Sequence, residues 1–281
     1  MSDGRQEPVS ERIAVCGLGK VGKPILNMLR KKGFEAIGYD RDHNLAECSS
    51  RDAVEVSDAC IFIVQTPSLP DGSFSNEFLK DALTRFKNAE RAMNRTDYLY
   101  IVTSTTTPGS CDEFRKIVGD NLVYKPEFIR LEHVDADLVR PAFILIGEAR
   151  KQAGDRAEKI YRAIFAAGIP YGSAVAPVHR MSLLEAELAK ITLNCALTMK
   201  ISLANQLHLV AKKLGADSRK IMECVGADPR IGPEYLEPGR PYGGPCLPRD
   251  NRMFRYVAEE AGVSAVLSLA ADAINRMVSD E

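Results

Sequence analysis

The stretch IAVCGLGKVGKPILNMLRKKGFEAIGYD, residues 13–40, limits this chain's fold more than any other. A short apolar run opens it and closely spaced glycines follow. Apolar residues then recur at helical spacing as far as Gly33, and a second short run ends at Asp40. Two strands joined by a helix over so short a distance lie parallel in one sheet, because a parallel pair needs a crossover and the helix supplies it. CIFIVQTPS, YLYIVTST and FILIG repeat the strand signal, separated by charged helical segments such as NEFLKDALTRFKNAERAMN. The pattern predicts an α/β domain over residues 1–180, a parallel, doubly wound Rossmann sheet.

The character changes near residue 180. From Ser182 the chain reads SLLEAELAKITLNCALTMKISLANQLHLVAKKLG, without proline or glycine until Gly215, and Ser182 with Glu185 has capping-box spacing. This predicts one long central helix. A second helix begins at Asp217 and stops near Gly226, ADPRIGPEYLEPGRPYGGPCLPRD is a turn-rich loop, and NRMFRYVAEEAG and VSAVLSLAADAINRMVSDE are amphipathic. Residues 181–281 are therefore expected to be all-helical. Leu188, Ile191, Cys195, Leu197, Ile201 and Leu207 lie on more than one face of the long helix, which predicts a homodimer built on this half.

Charge excludes one class of partner. The 37 basic and 38 acidic residues nearly cancel and form no basic block, so the electrostatic footprint of a nucleic-acid binder is missing. No apolar run approaches the ~18 residues of a membrane span, and the N-terminus is polar, so a cytoplasmic protein is expected. Seven cysteines without a CxxC pair, and only four histidines, argue against a disulfide framework or a metal site. Cys16, Cys60, Cys195 and Cys224 sit in apolar or periodic segments and are expected as small buried hydrophobes.

Cys246 is different. In YGGPCLPRD, Pro245 and Pro248 fix φ while Gly243 and Gly244 free the backbone ahead of them, so the loop positions a side chain and does not fill a core. With Asp250 in the first turn of a following helix, its carboxylate is able to act as a base or orient water near the thiol. A neighbouring cation such as Lys190, or the helix N-terminus, would give the sulfur thiolate character. An inert loop cysteine and an N-cap aspartate are the plainer reading. Lys190 and Asn194 share a helix face and suit a substrate hydroxyl or a developing oxyanion. A solvated lysine and a surface asparagine are the alternative there.

Gly17, Gly19 and Gly22 of GLGKVG form the G-x-G-x-x-G pattern between strand and helix, where backbone amides approach a pyrophosphate. The turn, Gly17, Leu18, Gly19, Lys20, Val21 and Gly22, is the expected cofactor cradle. Asp40 follows roughly 20 residues on, placed to accept from ribose hydroxyls and to repel a 2′-phosphate. NAD is the expected cofactor, with Arg41 leaving NADP open.

These segments together resemble the UDP-glucose/GDP-mannose dehydrogenase family. The resemblance runs through VCGLGKVGKP, QTPSLPDG, TSTTTPG, KPEF, EAELAKITLNCALTMKISLANQ, GADPRIG and YGGPCLPRD, nearly the whole chain. It implies oxidation of a primary alcohol to a carboxylate through two hydride transfers to NAD, with a cysteine thiohemiacetal and thioester between them. By resemblance Cys246 is the nucleophile, Lys190 and Asn194 stabilise the oxyanion, and Asp250 with Thr105 handles water. Glu127 of KPEF corresponds to a glutamate of the family's site, Thr66 and Pro67 lie along the cofactor, and Arg230 reaches the sugar from a neighbouring subunit. Tyr242, Gly243 and Gly244 join Glu127, Lys190 and Arg230 on the substrate side. The implied partner is a nucleotide-linked or smaller phosphorylated alcohol.

Two departures stand out. Lys125 replaces an asparagine common before PEF, and Leu131 stands where a second glutamate is usual, with Glu132 one step out of register. The family also has a third, nucleotide-covering domain after the helical one, whereas this chain ends at Glu281, so UDP-glucose is expected to bind poorly. A two-electron hydroxyacid or polyol-phosphate dehydrogenase and a non-catalytic NAD-binding partner are the other readings; the cysteine loop speaks against the first.

Overall fold

The structure, a computed structural model, describes residues 11–129, 138, 141–166 and 176–279. Leu131 and Glu132 lie outside the described residues. The chain divides into two compact units. The first comprises the described parts of Met1–Pro67 and Ser75–Glu187; the second comprises Ser68–Phe74 and the described part of Leu188–Glu281.

The first unit is built on seven strands: β1 Ile13–Cys16, β2 Ala36–Tyr39, β3 Ala59–Phe62, β4 Leu99–Val102, β5 Leu122–Tyr124, β6 Ile144–Glu148 and β7 Val178–Ser182. They lie in the order β2-β1-β3-β4-β5-β6-β7. Helices α1 Gly22–Lys31, α2 Ser50–Val56, α3 Glu77–Ala92, α4 Ser110–Val118 and α5 Lys151–Ala166 connect or flank them. Strands β1, β3, β4 and β5 are buried along their length, as strands covered on both faces must be, which is why they read as unbroken apolar runs. Successive side chains serve opposite faces. Ile13, Val15, Ile61, Ile101 and Val123 pack with Ile25, Leu26 and Leu29 of α1 and Ile160 and Ile164 of α5. Phe62 and Tyr100 stack on the other face, where Phe86 and Tyr98 meet them edge-on. Each fully buried aliphatic or aromatic side chain contributes about 2 kcal/mol.

The expectation of a wholly parallel sheet needs correction. β6 runs antiparallel to β5, and β7 runs parallel to β6. An apolar run such as FILIG reports burial and carries no information about direction. β5 and β7 were also not expected, because LVY is very short and VHRMS has a polar edge-strand composition.

The second unit contains α6 Leu183–Leu214, which enters it after Glu187, followed by α7 Ser218–Gly226, α8 Leu247–Glu260 and α9 Val266–Ser279. The capping box opens α6: Ser182 N–H donates to Glu185 Oε2 at 2.8 Å, and Glu185 N–H to Ser182 Oγ at 3.4 Å. Asp217 caps α7 by accepting from Arg219 N–H at 3.0 Å. The turn-rich loop ends four residues earlier than its composition suggests, since LPRD is already the first turn of α8. Pro248 fits there because the first turn needs no N–H from it. Ser68–Phe74, from the first half of the sequence, supplies Phe74 to a small core with Ile191, Cys195 and Met253. No helix among the described residues is long and apolar enough to cross a membrane.

Glu187 holds the start of α4. Fully buried, it accepts from Thr106 Oγ1 at 3.0 Å, Gly109 N–H at 2.7 Å and Cys111 N–H at 3.0 Å. Gly109, the N-cap residue of α4 with φ +95°, has no side chain to satisfy these donors. Burial pushes the Glu187 carboxyl up, and the three hydrogen bonds oppose that shift. Truncation to Glu187→Ala leaves the donors buried without an acceptor, so chemical denaturation should show a loss of about 3 kcal/mol. An unchanged denaturation midpoint would remove Glu187 from this role.

Candidate active site

The crevice of the first unit opens beside the carboxyl ends of β1, β2 and β3, where the crossovers leave β1 in opposite directions. It is a cleft of about 550 Å³ bordered by Gly17, Gly19, Asp40, Arg41, Val64 and Phe78, among others. Each glycine of the turn has its own steric reason. At Gly17, φ is +98° and a Cβ would stand 2.3 Å from the Ile63 carbonyl oxygen. At Gly22 a Cβ would stand 1.7 Å from the Gly17 carbonyl oxygen, so helix and turn meet only without a side chain. At Gly19 a Cβ would meet nothing within 4 Å, which leaves open space against the backbone on the cleft side. A tight turn, a close helix packing and an unobstructed backbone are what a dinucleotide pyrophosphate requires, so the cradle fits NAD.

Asp40 is held by two backbone donors. Its Oδ2 accepts from Leu18 N–H at 2.6 Å and its Oδ1 from Asp42 N–H at 2.8 Å. Arg41 lies with its guanidinium 5.4 Å from the centre of the Phe78 ring. Lys20 is exposed and Val21 half-buried at the turn. Thr66 is buried and donates its hydroxyl to the Thr105 carbonyl at 2.7 Å, tying the loop after β3 to the loop after β4. Pro67 accepts from Ser75 N–H at 2.8 Å, closing the seven-residue excursion between them. Glu127 has a buried partner: Lys125 Nζ donates to its Oε1 while lying 4.6 Å from the centre of the Tyr161 ring.

The second unit gathers four of the expected residues. Lys190, Asn194 and Asp250 are all buried, which overturns the reading of a solvated lysine and a surface asparagine. Asn194 Nδ2 donates to Asp250 Oδ2 at 2.5 Å, and Asp250 N–H donates to the Cys246 carbonyl at 2.9 Å, one helical turn back. Burial pushes the Asp250 carboxyl above its ordinary value; Lys190, Asn194 and Arg249 pull the other way. Cys246 is the N-cap residue of α8 and is exposed, at the positive end of the helix dipole. By contrast Cys195, whose Sγ lies 3.7 Å from the Asp250 carbonyl, is buried, and its thiol is pushed up to about 12. Cys224 departs from expectation. It is exposed, because the short α7 turns only Ser218, Met222 and Gly226 inward.

The remaining substrate-side residues divide. Tyr242 is buried, with its hydroxyl donating to Asp272, while Gly243 and Gly244 are exposed ahead of the thiol. Arg230 is exposed, and its guanidinium pairs with the neighbouring Asp228 at 2.6 Å. Sequence reasoning missed the supports. Asn205 accepts from Gly239 and Arg240 N–H and donates to the Arg240 carbonyl, and the Arg249 guanidinium lies 3.7 Å above the Phe74 ring. An asparagine in mid-helix is the signal for the first.

Residues 43–165 match the model described as the UDP-glucose/GDP-mannose dehydrogenase family, NAD binding domain, and residues 184–277 match the central domain of the same family. The chain is 26% identical over 299 residues to GDP-mannose 6-dehydrogenase of Pseudomonas putida, covering 91% of this chain and 66% of that one. It thus spans just under two thirds of that relative's length. A solved UDP-glucose dehydrogenase from the hyperthermophilic archaeon Pyrobaculum islandicum aligns with a TM-score of 0.85 at 28% identity, over 97% of this chain and 69% of that one. 3-Hydroxyisobutyrate dehydrogenase of Mycobacterium tuberculosis aligns with a TM-score of 0.73 at 17% identity, over 97% and 95%, a likeness of fold alone.

Three variants test this geometry. Gly22→Ala should cost about 3 kcal/mol of stability by overpacking. Gly19→Ala should fold normally yet bind NAD about tenfold more weakly, a loss of roughly 1.4 kcal/mol, by calorimetry. The Asp250 carboxyl, raised in the fold, stabilises fully below the ordinary carboxylate value and loses that contribution as pH climbs through the folded value. Asp250→Asn escapes this loss and keeps an acceptor for Asn194. Its melting temperature should therefore gain on the parent's as pH rises from about 4, and equal gaps across the range would contradict the burial argument.

Proposed function

We propose, from the premise that this chain belongs to the UDP-glucose/GDP-mannose dehydrogenase family, that it oxidises a primary alcohol to a carboxylate in two NAD-dependent steps. The substrate class is a nucleotide-linked or smaller phosphorylated sugar. One observation carries the reading: an exposed thiol at a helix N-terminus, one turn from a buried carboxylate that Asn194 hydrogen-bonds.

The division of labour follows from the chemistry of each group. NAD supplies the hydride acceptor for both oxidations. In the first, Lys190 and Asn194 hold the substrate oxygen as its proton passes to solvent water. The Cys246 thiolate then adds to the aldehyde carbon, and the thiohemiacetal oxygen is held by the same two donors. The second oxidation leaves the acyl group as a thioester on Sγ. Asp250, raised by burial toward the range useful for a base, takes a proton from water as it attacks, and the thiolate departs as the carboxylate forms. Thr105 positions that water, and Glu127 and Tyr242 line the sugar with Gly243 and Gly244. Gly17 to Gly22, Asp40, Arg41, Thr66, Pro67 and Thr105 hold the cofactor, with Asp40 selecting NAD.

The working form is a homodimer through the residue 181–281 half, with residues 1–180 as the cofactor domain. Leu203, Val210 and Leu214 of α6 and Val266, Leu267 and Met277 of α9 leave apolar surface exposed on that half. Arg230 then serves the second copy's site. No membrane or nucleic-acid partner enters this reading, and the cytoplasm is the compartment.

A panel of UDP-sugars, GDP-mannose and sugar phosphates, followed by NADH formation and product mass, tests the proposal. Two NADH and one acid should form per alcohol. Cys246→Ala should stop at one NADH and release aldehyde, lowering acid formation at least about 100-fold. One NADH per substrate in the wild type would instead support a two-electron dehydrogenase. No turnover with any substrate would favour a non-catalytic partner.

A further inference from the structure

We infer that Asn275, on α9, is a positioning residue that fixes the loop presenting Cys246. Its side-chain amide makes both available main-chain bonds to one residue. Tyr242 N–H donates to Asn275 Oδ1 at 2.7 Å, and Asn275 Nδ2 donates to the Tyr242 carbonyl at 2.9 Å. This reciprocal pair imitates a rung of a β-ladder, and it grips the backbone four residues ahead of the thiol. The grip is doubled one turn earlier on α9. Asp272 Oδ1 accepts from the Tyr242 hydroxyl and from Asn251 Nδ2 at 2.9 Å. Asn251 is buried on α8, next to Asp250, and its Nδ2 also reaches the Ser268 carbonyl of α9 at 3.0 Å.

The loop has a second anchor on α6, where Asn205 holds Gly239 and Arg240. The stretch from Arg240 to Cys246 contains two glycines and two prolines and adds no strand or helix of its own before Leu247. A glycine-rich loop samples many conformations unless outside groups restrict it. The two ends of the GGP segment are therefore set by different elements: α9 fixes Tyr242, and α8 fixes Cys246 as its N-cap. The consequence for chemistry rests on the proposed role of Cys246, but the positioning itself does not.

The experiment uses the full chain and needs no substrate. Amide hydrogen exchange is followed at Tyr242, and iodoacetamide alkylation of Cys246 is measured by peptide mass against Cys224, an exposed thiol on α7 that serves as internal reference. Asn275→Ala should raise exchange at Tyr242 about tenfold. The Cys246-to-Cys224 alkylation ratio should change at least about threefold, with the Cys224 rate constant. If Asn275→Ala does not fold by circular dichroism, Asn275→Asp carries the test, since it keeps an acceptor for Tyr242 N–H and removes the donor to the Tyr242 carbonyl; the alkylation ratio should again depart from wild type. Wild-type exchange and an unchanged ratio in a folded variant overturn the inference. A changed ratio with no acid formed by the wild type would leave the positioning intact and sink the proposed thioester chemistry alone.

Discussion

A carboxylate removed from water must find donors, and the N-terminal part of α6 is arranged around that requirement. Glu187 meets it with two backbone N–H groups and a hydroxyl at the start of α4, where the glycine N-cap has nothing to offer. One buried charge thereby closes the loop after β4, whose Thr105 carbonyl also receives the Thr66 hydroxyl. The same logic recurs in the second unit, where Asn194 satisfies Asp250, and in the Lys125–Glu127 pair. Burial makes each of these groups costly alone and exacting about its partners. That is how a fold of ordinary apolar packing acquires polar groups at fixed positions.

Much of this was legible in the residues, for reasons that differ by element. The glycine turn was readable because sterics act locally: the φ of Gly17 and the contact of Gly22 with the Gly17 carbonyl involve residues close in sequence. The long helix was readable because Ser182 and Glu185 announce its start and no proline interrupts it. The reversed β6 and β7 were not, since strand direction is a property of the whole chain path. VHRMS hid as an edge strand for want of an apolar signal. Cys224 was misjudged because a nine-residue helix buries only a narrow stripe.

The expected site residues show the same division. Lys190, Asn194 and Asp250 carry a spacing and a motif, and the resemblance to one family made them conspicuous. Burial is what separates them from surface residues of the same type, and burial is not written in a four-residue spacing. Asn205 and Asn275 escaped attention because their partners are main-chain groups, which every residue has and no sequence marks. Lys125 was visible as a departure, but its accommodation beside Glu127 and against Tyr161 depends on α5, more than twenty residues away in the chain.

The excursion Ser68–Phe74 has a bearing on modularity. The second unit takes its Phe74 from a seven-residue segment encoded in the first half, and that ring lies under Arg249, next to Asp250. The two units are therefore not two consecutive stretches of gene. A crossover with a relative at the point where helix α6 begins would pair one parent's Phe74 loop with the other parent's α8, so these two pieces, far apart in sequence, must be inherited together.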